Sequence, residues 1–331
     1  MARTVLVTGG TGFVAGWTIV GLLRRGYAVR TTVRSLDKAD AVRRAVARRI
    51  DPGDALSFAA ADLTFDRGWD EAAAGCEGVL HIASPLGAGG DAGGLIEAAR
   101  GGTLRVLGAA ARAGAARVVM TSSTAACTPA RPLARAIDER DWTDPDQPDL
   151  ALYRKSKVLA ERAAWDFMSD APSFTLTTIL PGAIFGPVLD RGHLGSVGII
   201  QRLLVGQPPA LPRLAFNIVD VRDLAELHIA ALETPGAAGE RFIAVGETLW
   251  YGQIAEALKD RLGAKAAKVP TAAMPDLVAR GLAAVSPQMK ALLPLLGRTQ
   301  AFSTAKARAT LGFAPRPPQE TVGDCGESLL D

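Results

Sequence analysis

The chain has 331 residues, 48% of them hydrophobic and 21% charged, and a net charge of +3. That is enough apolar material for a large core, while the basic residues are too dispersed for a nucleic-acid-binding surface; Arg43-Arg44 and Arg48-Arg49 read as the solvated face of one helix. No apolar run is long enough to span a bilayer and no hydrophobic leader precedes the first strand; Cys76, Cys127 and Cys325 lie far apart without metal-ligand spacing, so no membrane, disulfide framework or metal is expected and the compartment reads as reduced and cytoplasmic.

The β-branched run Thr4 to Thr8 breaks into Gly9-Gly10-Thr11-Gly12-Phe13-Val14-Ala15-Gly16 and continues as an apolar-periodic helix to about Arg25. Glycines let a backbone approach a pyrophosphate closely, and the first-turn amides of a helix starting near Gly12 point at such an anion. The spacing is Gly9-x-x-Gly12-x-x-Ala15, with Ala15 where a third glycine often stands. A second strand, Ala28 to Val33, ends at Arg34, where dinucleotide-binding chains that prefer NAD carry an acid for the ribose 2′-hydroxyl. A guanidinium there, with Lys38 one turn later, suits a 2′-phosphate and hence NADP. Asp37 is expected to start the next helix, near Asp40 to Arg49, rather than to touch the ribose.

The alternation continues with a strand at Leu56 to Ala60, a helix at Trp69 to Ala74 and a strand at Gly78 to Ala83. After the third strand, Asp62 and the backbone at Leu63 either bind an adenine edge or, for Asp62, cap the following turn. Ile82, Ala83 and Ser84 are small enough for backbone to lie against a ribose, and His81 reads as a packed histidine. A long helix from Gly93 to Ala113 leads to the strand Arg117 to Thr121, which ends in Thr121-Ser122-Ser123-Thr124. A helix from Tyr153 to Met168 and a strand from Phe174 to Leu180 follow. This order implies an α/β fold, a doubly wound parallel sheet of Rossmann type with ligands above the carboxyl ends of its strands. Glycine and proline become frequent from Gly182 on, which marks a smaller C-terminal substrate lobe. The expected division is 1–181 with roughly 217–248 for the dinucleotide, and 182–216 with 249–331 for the substrate.

Tyr153 and Lys157, four residues apart, share one face of their helix. A lone phenol, with a pKa near ~10, is a poor acid or base at neutral pH, but a fixed ammonium beside it favours the phenolate. Such a pair can pass a proton to or from a carbonyl or alcohol oxygen, with Ser123 donating a hydrogen bond to the same oxygen.

Taken together, Thr8-Gly9-Gly10-Thr11-Gly12-Phe13-Val14, Asp62-Leu63, Thr121-Ser122-Ser123, Tyr153-x-x-Ser156-Lys157 and Pro181-Gly182-Ala183-Ile184-Phe185-Gly186-Pro187 resemble the extended short-chain dehydrogenase/reductase family over nearly the whole chain. Val219 to Ala225 and Leu311 to Arg316 extend the likeness. Val33-Arg34-Ser35 and His81 to Pro85 are similar to the branch holding dihydroflavonol reductases, cinnamoyl-CoA reductases and microbial carbonyl reductases, which uses NADPH. The resemblance implies that Tyr153 donates the proton, Lys157 lowers its pKa and holds the nicotinamide ribose, Ser123 binds the substrate carbonyl, and Pro181, Gly182, Ala183 and Ile184 lie along the nicotinamide. Cinnamoyl-CoA reductases carry an Asn-Trp-Tyr-Cys stretch before the lysine where this chain reads Asp149-Leu150-Ala151-Leu152-Tyr153, which argues against a CoA thioester, and Arg105 replaces a frequent asparagine as a change in scaffold contacts.

The expected activity is therefore NADPH-dependent reduction of a ketone or aldehyde, reversible as an alcohol dehydrogenase. Substrate contacts are expected from Pro85, Leu86, Ser123, Thr124, Tyr153 and His193, with selection by the loop Val188 to Leu194 and by Leu211 to Phe216. The alternatives are a sugar-nucleotide epimerase or dehydratase of the same fold, which would keep its cofactor bound, and a non-enzymatic NADP sensor. A homodimer through the long helices is also compatible with the sequence.

Overall fold

A computed structural model describes residues 3–85, 92–131, 133–170, 172–192 and 195–331. In chain order these form β1 (Thr4–Val7), α1 (Phe13–Arg24), β2 (Ala28–Val33), α2 (Ala39–Ala47), β3 (Leu56–Ala60), α3 (Trp69–Ala73), β4 (Gly78–His81), α4 (Ala92–Arg112), β5 (Arg117–Thr121), α5 (Leu152–Phe167) and β6 (Thr175–Pro181). There follow β7 (Ala183–Phe185), α6 (Val197–Leu204), β8 (Ala215–Asp220), α7 (Val221–Glu233), β9 (Arg241–Ala244), β10 (Thr248–Trp250), α8 (Tyr251–Leu262), α9 (Asp276–Leu282), α10 (Pro287–Leu292), α11 (Ala305–Leu311) and α12 (Pro318–Leu330). The first eleven elements match the sequence expectation to within two residues at each end, and Asp37 falls, as expected, at the start of the helical turn Leu36–Lys38.

Seven strands pair in the order β3-β2-β1-β4-β5-β6-β9, and every pairing is parallel. The chain winds outward from β1 to β3, then returns to β4 and winds the other way, so the carboxyl ends of β1 and β4 flank the switch point where such sheets bind ligands. Helices cover both faces, so the central strands are apolar throughout and neighbouring residues serve opposite cores. Leu6, Val79, Val118 and Leu176 pack towards α3, α4 and α5. Val5, Val7, Leu80, Val119 and Ile179 pack towards α1, α2 and α7.

A second sheet, β10-β8-β7, forms a third core with α6, α8 and α12 around Phe185, Ile200, Leu249 and Ile254. It begins one residue after β6 ends, because Gly182 turns the chain from one sheet into the other. Of the segment 217–248, β9 joins the large sheet and β8 the small one. Asp220 caps α7 by accepting the Arg222 amide at 2.8 Å. Among the described residues no helix is long and apolar enough to cross a membrane.

Two buried histidines tie the layers together. His81 lies between the Thr8 hydroxyl, 3.0 Å from Nδ1, and the Thr103 hydroxyl, 3.4 Å from Nε2. His228 on α7 places Nδ1 2.7 Å from the Leu224 carbonyl, so Nδ1 carries the proton and Nε2 accepts from the Thr121 hydroxyl, also at 2.7 Å. Burial, with the Lys157 charge adding to it, pushes His81 down to about 3. Burial pushes His228 down to about 4 against the raising effect of the Leu224 carbonyl. Both are neutral in the fold and titrate at an ordinary 6.5 once unfolded, so acid favours the unfolded chain. Urea unfolding should show full stability above pH 6.5 and a loss of about 3 kcal/mol from pH 7.5 to 5.5 if both sites contribute. An unchanged midpoint over that interval would contradict neutral burial, and His228→Asn should flatten the slope.

Candidate active site

The glycine turn follows from close approaches on each side. Gly9 has φ +77°, and a Cβ there would come within 3.0 Å of the Ala83 Cβ at the end of β4. Its amide donates to the Thr32 hydroxyl at 2.9 Å, and the Gly10 amide donates to the Thr32 carbonyl at 2.8 Å, so the turn is fixed to β2. Gly12 is the N-cap of α1 and brings no side chain to the first-turn amides, which leaves Phe13 and Val14 at an uncapped helix start beside Thr11. That is the donor set an anion requires.

The end of β4 is held by one hydroxyl. Thr8 Oγ accepts the amides of Ile82 at 3.0 Å and Ala83 at 2.9 Å, and its own hydrogen goes to His81. His81 is thus a packed residue, as the sequence suggested, and the smallness of Ala83 is used by Gly9. Ser84 and Pro85 follow, half-buried. Leu86 and His193, both expected near a substrate, lie outside the described residues.

Arg34 and Lys38 are exposed at the end of β2. The Asp62 carboxylate accepts the Thr64 amide at 2.8 Å and the Thr64 hydroxyl at 2.7 Å, which closes a turn after β3. Burial alone would raise its carboxyl, but these bonds and the nearby Arg34 charge outweigh burial and lower it. Arg105 donates to the Leu63 carbonyl at 2.9 Å and to Asp66 at 2.5 Å, so this departure from the family pattern braces the turn beside Asp62.

Around β5 the residues alternate sides. The Thr121 side chain faces α7, where His228 takes its hydroxyl, and so points away from α5, as the strand's two-residue period requires. Ser122 faces α5. Ser123 caps the turn Thr124–Ala126, accepts the Ala125 amide at 3.1 Å and is 8% exposed. Thr124 donates to the Pro181 carbonyl at 3.3 Å, joining this turn to the end of β6.

Helix α5 packs on that turn. Tyr153 is 39% exposed, whereas Lys157 is 6% exposed with its ammonium 5.9 Å from the Tyr153 ring centroid. The expected helical pairing is therefore present, one member open to solvent and the other buried.

Past β6, Gly182 lies against the small sheet: a Cβ there would be 2.2 Å from the Asn217 carbonyl oxygen. Ala183 and Ile184 then pair with Ile218 and Val219. The loop from Val188 differs from the expectation. Val188 and Leu189 are buried, the Trp17 indole donates to the Pro187 carbonyl at 2.7 Å, and Arg48 donates to the Leu189 carbonyl at 2.9 Å. Leu189 sits on Gly16, so the first half of this loop ties the chain after β7 onto α1 and α2.

The largest network missed by sequence reading centres on Glu161, fully buried one turn beyond Lys157 and ion-paired with Arg241 of β9 at 2.8 Å. Its only signal was an acid on the apolar face of α5 next to Lys157. Among the described residues no three His, Cys, Asp or Glu side chains gather as metal ligands would. The three thiols are buried; burial raises Cys76 and Cys127 and pushes Cys325 up to about 12, so none is poised as a nucleophile.

An uncapped helix start at the switch point of a doubly wound sheet, with a Tyr/Lys pair on the helix beyond β5, defines a class: oxidoreductases that use a nicotinamide dinucleotide. Residues 5–246 match the NAD dependent epimerase/dehydratase family, and the chain belongs to that family, the extended short-chain dehydrogenases/reductases. It is similar to cinnamoyl-CoA reductase 1 of Petunia hybrida, with 36% identity over 77% of this chain and 76% of the relative. It is also similar to ketoreductase azaE of Aspergillus niger, with 33% identity over 100% and 98% of the two chains. Among solved structures, Gre2 of Candida albicans in complex with NADPH superimposes with a TM-score of 0.82 at 28% identity, over 99% of this chain and 98% of that one. The protein is an NAD(P)-dependent reductase.

Gly182→Ala provides a direct check on how the two sheets meet. The added methyl cannot move the Asn217 backbone without breaking the β7–β8 pairing, so the melting temperature should drop by the equivalent of more than about 2 kcal/mol and reductase activity should fall with it. A stable, active alanine variant would refute the contact.

Proposed function

We propose that the chain is an NADPH-dependent reductase of a ketone or aldehyde, reversible as an alcohol dehydrogenase, with the hydride supplied by bound NADPH and the proton by Tyr153. The observation that carries this reading is the seating of Lys157, buried beneath a half-open phenol where α5 meets the turn capped by Ser123. An ammonium held there stabilises the phenolate left when Tyr153 gives up its proton. The Ser123 hydroxyl and the phenol would bind the carbonyl oxygen together and meet the negative charge as it develops. In the alcohol-oxidising direction the same phenolate would take the proton back.

The residues present fit the cofactor. Gly9, Thr11, Gly12, Phe13 and Val14, at an uncapped helix start where Ala83 lies too close to Gly9 for a side chain, would take the pyrophosphate. Arg34 and Lys38 would hold the 2′-phosphate, Asp62 and Leu63 the adenine, and Ile82, Ala83 and Ser84 the ribose. Thr121, through its backbone, Lys157 and the run Pro181 to Ile184 would border the nicotinamide. The preference for NADPH rests on Arg34 and on the NADPH complex of the Candida relative. Residues 1–181 with roughly 217–248 would form the cofactor side and 182–216 with 249–331 the substrate side, with Pro85 and Thr124 at the substrate. A ketone or aldehyde is favoured by the ketoreductase relative and by the absence of the Asn-Trp-Tyr-Cys stretch before Lys157.

NADPH consumption with a panel of aryl ketones, β-keto esters and aldehydes tests this reading. Tyr153→Phe should lower kcat by about 10²- to 10⁴-fold with little change in cofactor affinity; equal rates would sink the mechanism. Arg34→Ser should weaken NADPH about 10- to 100-fold and leave NADH nearly unchanged, since it removes only charge-assisted bonds to the 2′-phosphate. NAD retained through purification, with no turnover on any carbonyl, would instead favour epimerase or dehydratase chemistry.

A further inference from the structure

We infer that Glu161 is a positioning residue for the proton-transfer group, acting through Ser122; the inference rests on the catalytic reading of Ser123, Tyr153 and Lys157 above. Glu161 has no exposed surface and sits one helical turn beyond Lys157 on α5. Its Oε2 accepts the Ser122 hydroxyl at 2.6 Å and an Arg241 N–H at 3.3 Å. Its Oε1 accepts the Thr178 hydroxyl at 2.8 Å, Arg241 Nε at 2.8 Å and the Trp165 indole at 3.4 Å. One carboxylate thus joins α5 to β5, β6 and β9. Arg241 extends the network to the carbonyls of Glu139 at 2.6 Å and Asp141 at 2.9 Å, with its guanidinium 3.7 Å from the Trp142 ring centroid.

A buried ion pair is a weak way to gain stability, because desolvating both charges offsets most of their attraction and a well-packed apolar pair would hold the layers as well. What it provides is direction, since a carboxylate and a guanidinium meet only in a few geometries. Of the bonds to Glu161, the one from Ser122 alone reaches the strand end that carries Ser123. The Ser122 amide is fixed to the Ile179 carbonyl at 2.7 Å, and Ser123 continues in extended backbone with its hydroxyl at the mouth of the next turn. Glu161 therefore anchors the oxygen-binding serine and, four residues back on its own helix, the lysine beneath the phenol. It sets how the Ser123 hydroxyl and the Tyr153 hydroxyl meet one substrate oxygen.

The test compares Ser122→Ala, which cuts the link to the serine strand but keeps the ion pair, with Thr178→Val, which removes a bond to the same carboxylate elsewhere. Ser122→Ala should lower kcat about 10- to 100-fold with unchanged NADPH affinity, and raise the primary isotope effect with 4-deuterated NADPH because misplacement slows the chemical step. Thr178→Val should lose comparable thermal stability yet keep kcat within about twofold, since it leaves the serine strand anchored. Ser122→Cys, similar in shape but a weaker donor, should fall between wild type and alanine, and serves if the alanine variant does not accumulate. A wild-type rate in Ser122→Ala, or equal losses of kcat in Ser122→Ala and Thr178→Val, would overturn the inference. Ser123→Ala separates the two levels: if it is slow while Ser122→Ala is fast, only the positioning role fails, and if it is fast the catalytic reading fails and the positioning role with it.

Discussion

A carboxylate removed from water has to be met by donors, and Glu161 draws them from three strands and its own helix. This requirement organises the carboxyl end of the sheet. It fixes α5 along the strand axes, which places Tyr153 at the rim and Lys157 below it. It also determines which side of β5 Ser122 must face, and by alternation leaves Thr121 to His228 and α7. Of Ser123, Tyr153 and Lys157 only the phenol is open, and the Glu161–Arg241 pair behind them is buried and charged.

At the neighbouring switch point a neutral chain serves the same purpose. Thr103 donates to the Ala99 carbonyl, His81 to Thr103, and Thr8 to His81, leaving the Thr8 oxygen to accept two amides from the end of β4. Every hydrogen in that chain has one place to go, which fixes the histidine tautomer. A second proton on His81 would reverse one of these donors and face Lys157, so burial and the lysine charge both keep it neutral. The glycine turn then closes against the end of β4 with no side chain to spare.

Much of this was legible in the sequence because it is local. Glycine spacing, strand–helix alternation and a four-residue Tyr/Lys interval are read along a single stretch, and each reappears in the structure where expected. The parts that were not legible depend on distant partners. Glu161 stands on the apolar face of α5, but nothing near it in the chain names its partner, because Arg241 lies 80 residues away. The run from Val188 reads as a loop because the groups that bury it, Trp17 and Arg48, are in the first third of the chain. The small sheet escaped notice since β7 and β10 have only three residues each, too short for an alternating pattern.

The position of Arg241 on the last strand of the large sheet bears on how the chain is made. As it leaves the ribosome, α5 and its carboxylate emerge well before β9, with β7, α6, β8 and α7 in between. Until β9 arrives, Glu161 has no guanidinium to accompany it out of water, so the amino-terminal half cannot close its own interior. The chain from β7 to α7 must therefore be made and set aside while the large sheet still lacks its last strand, so the amino-terminal strands wait on a partner that comes after two strands of the other sheet.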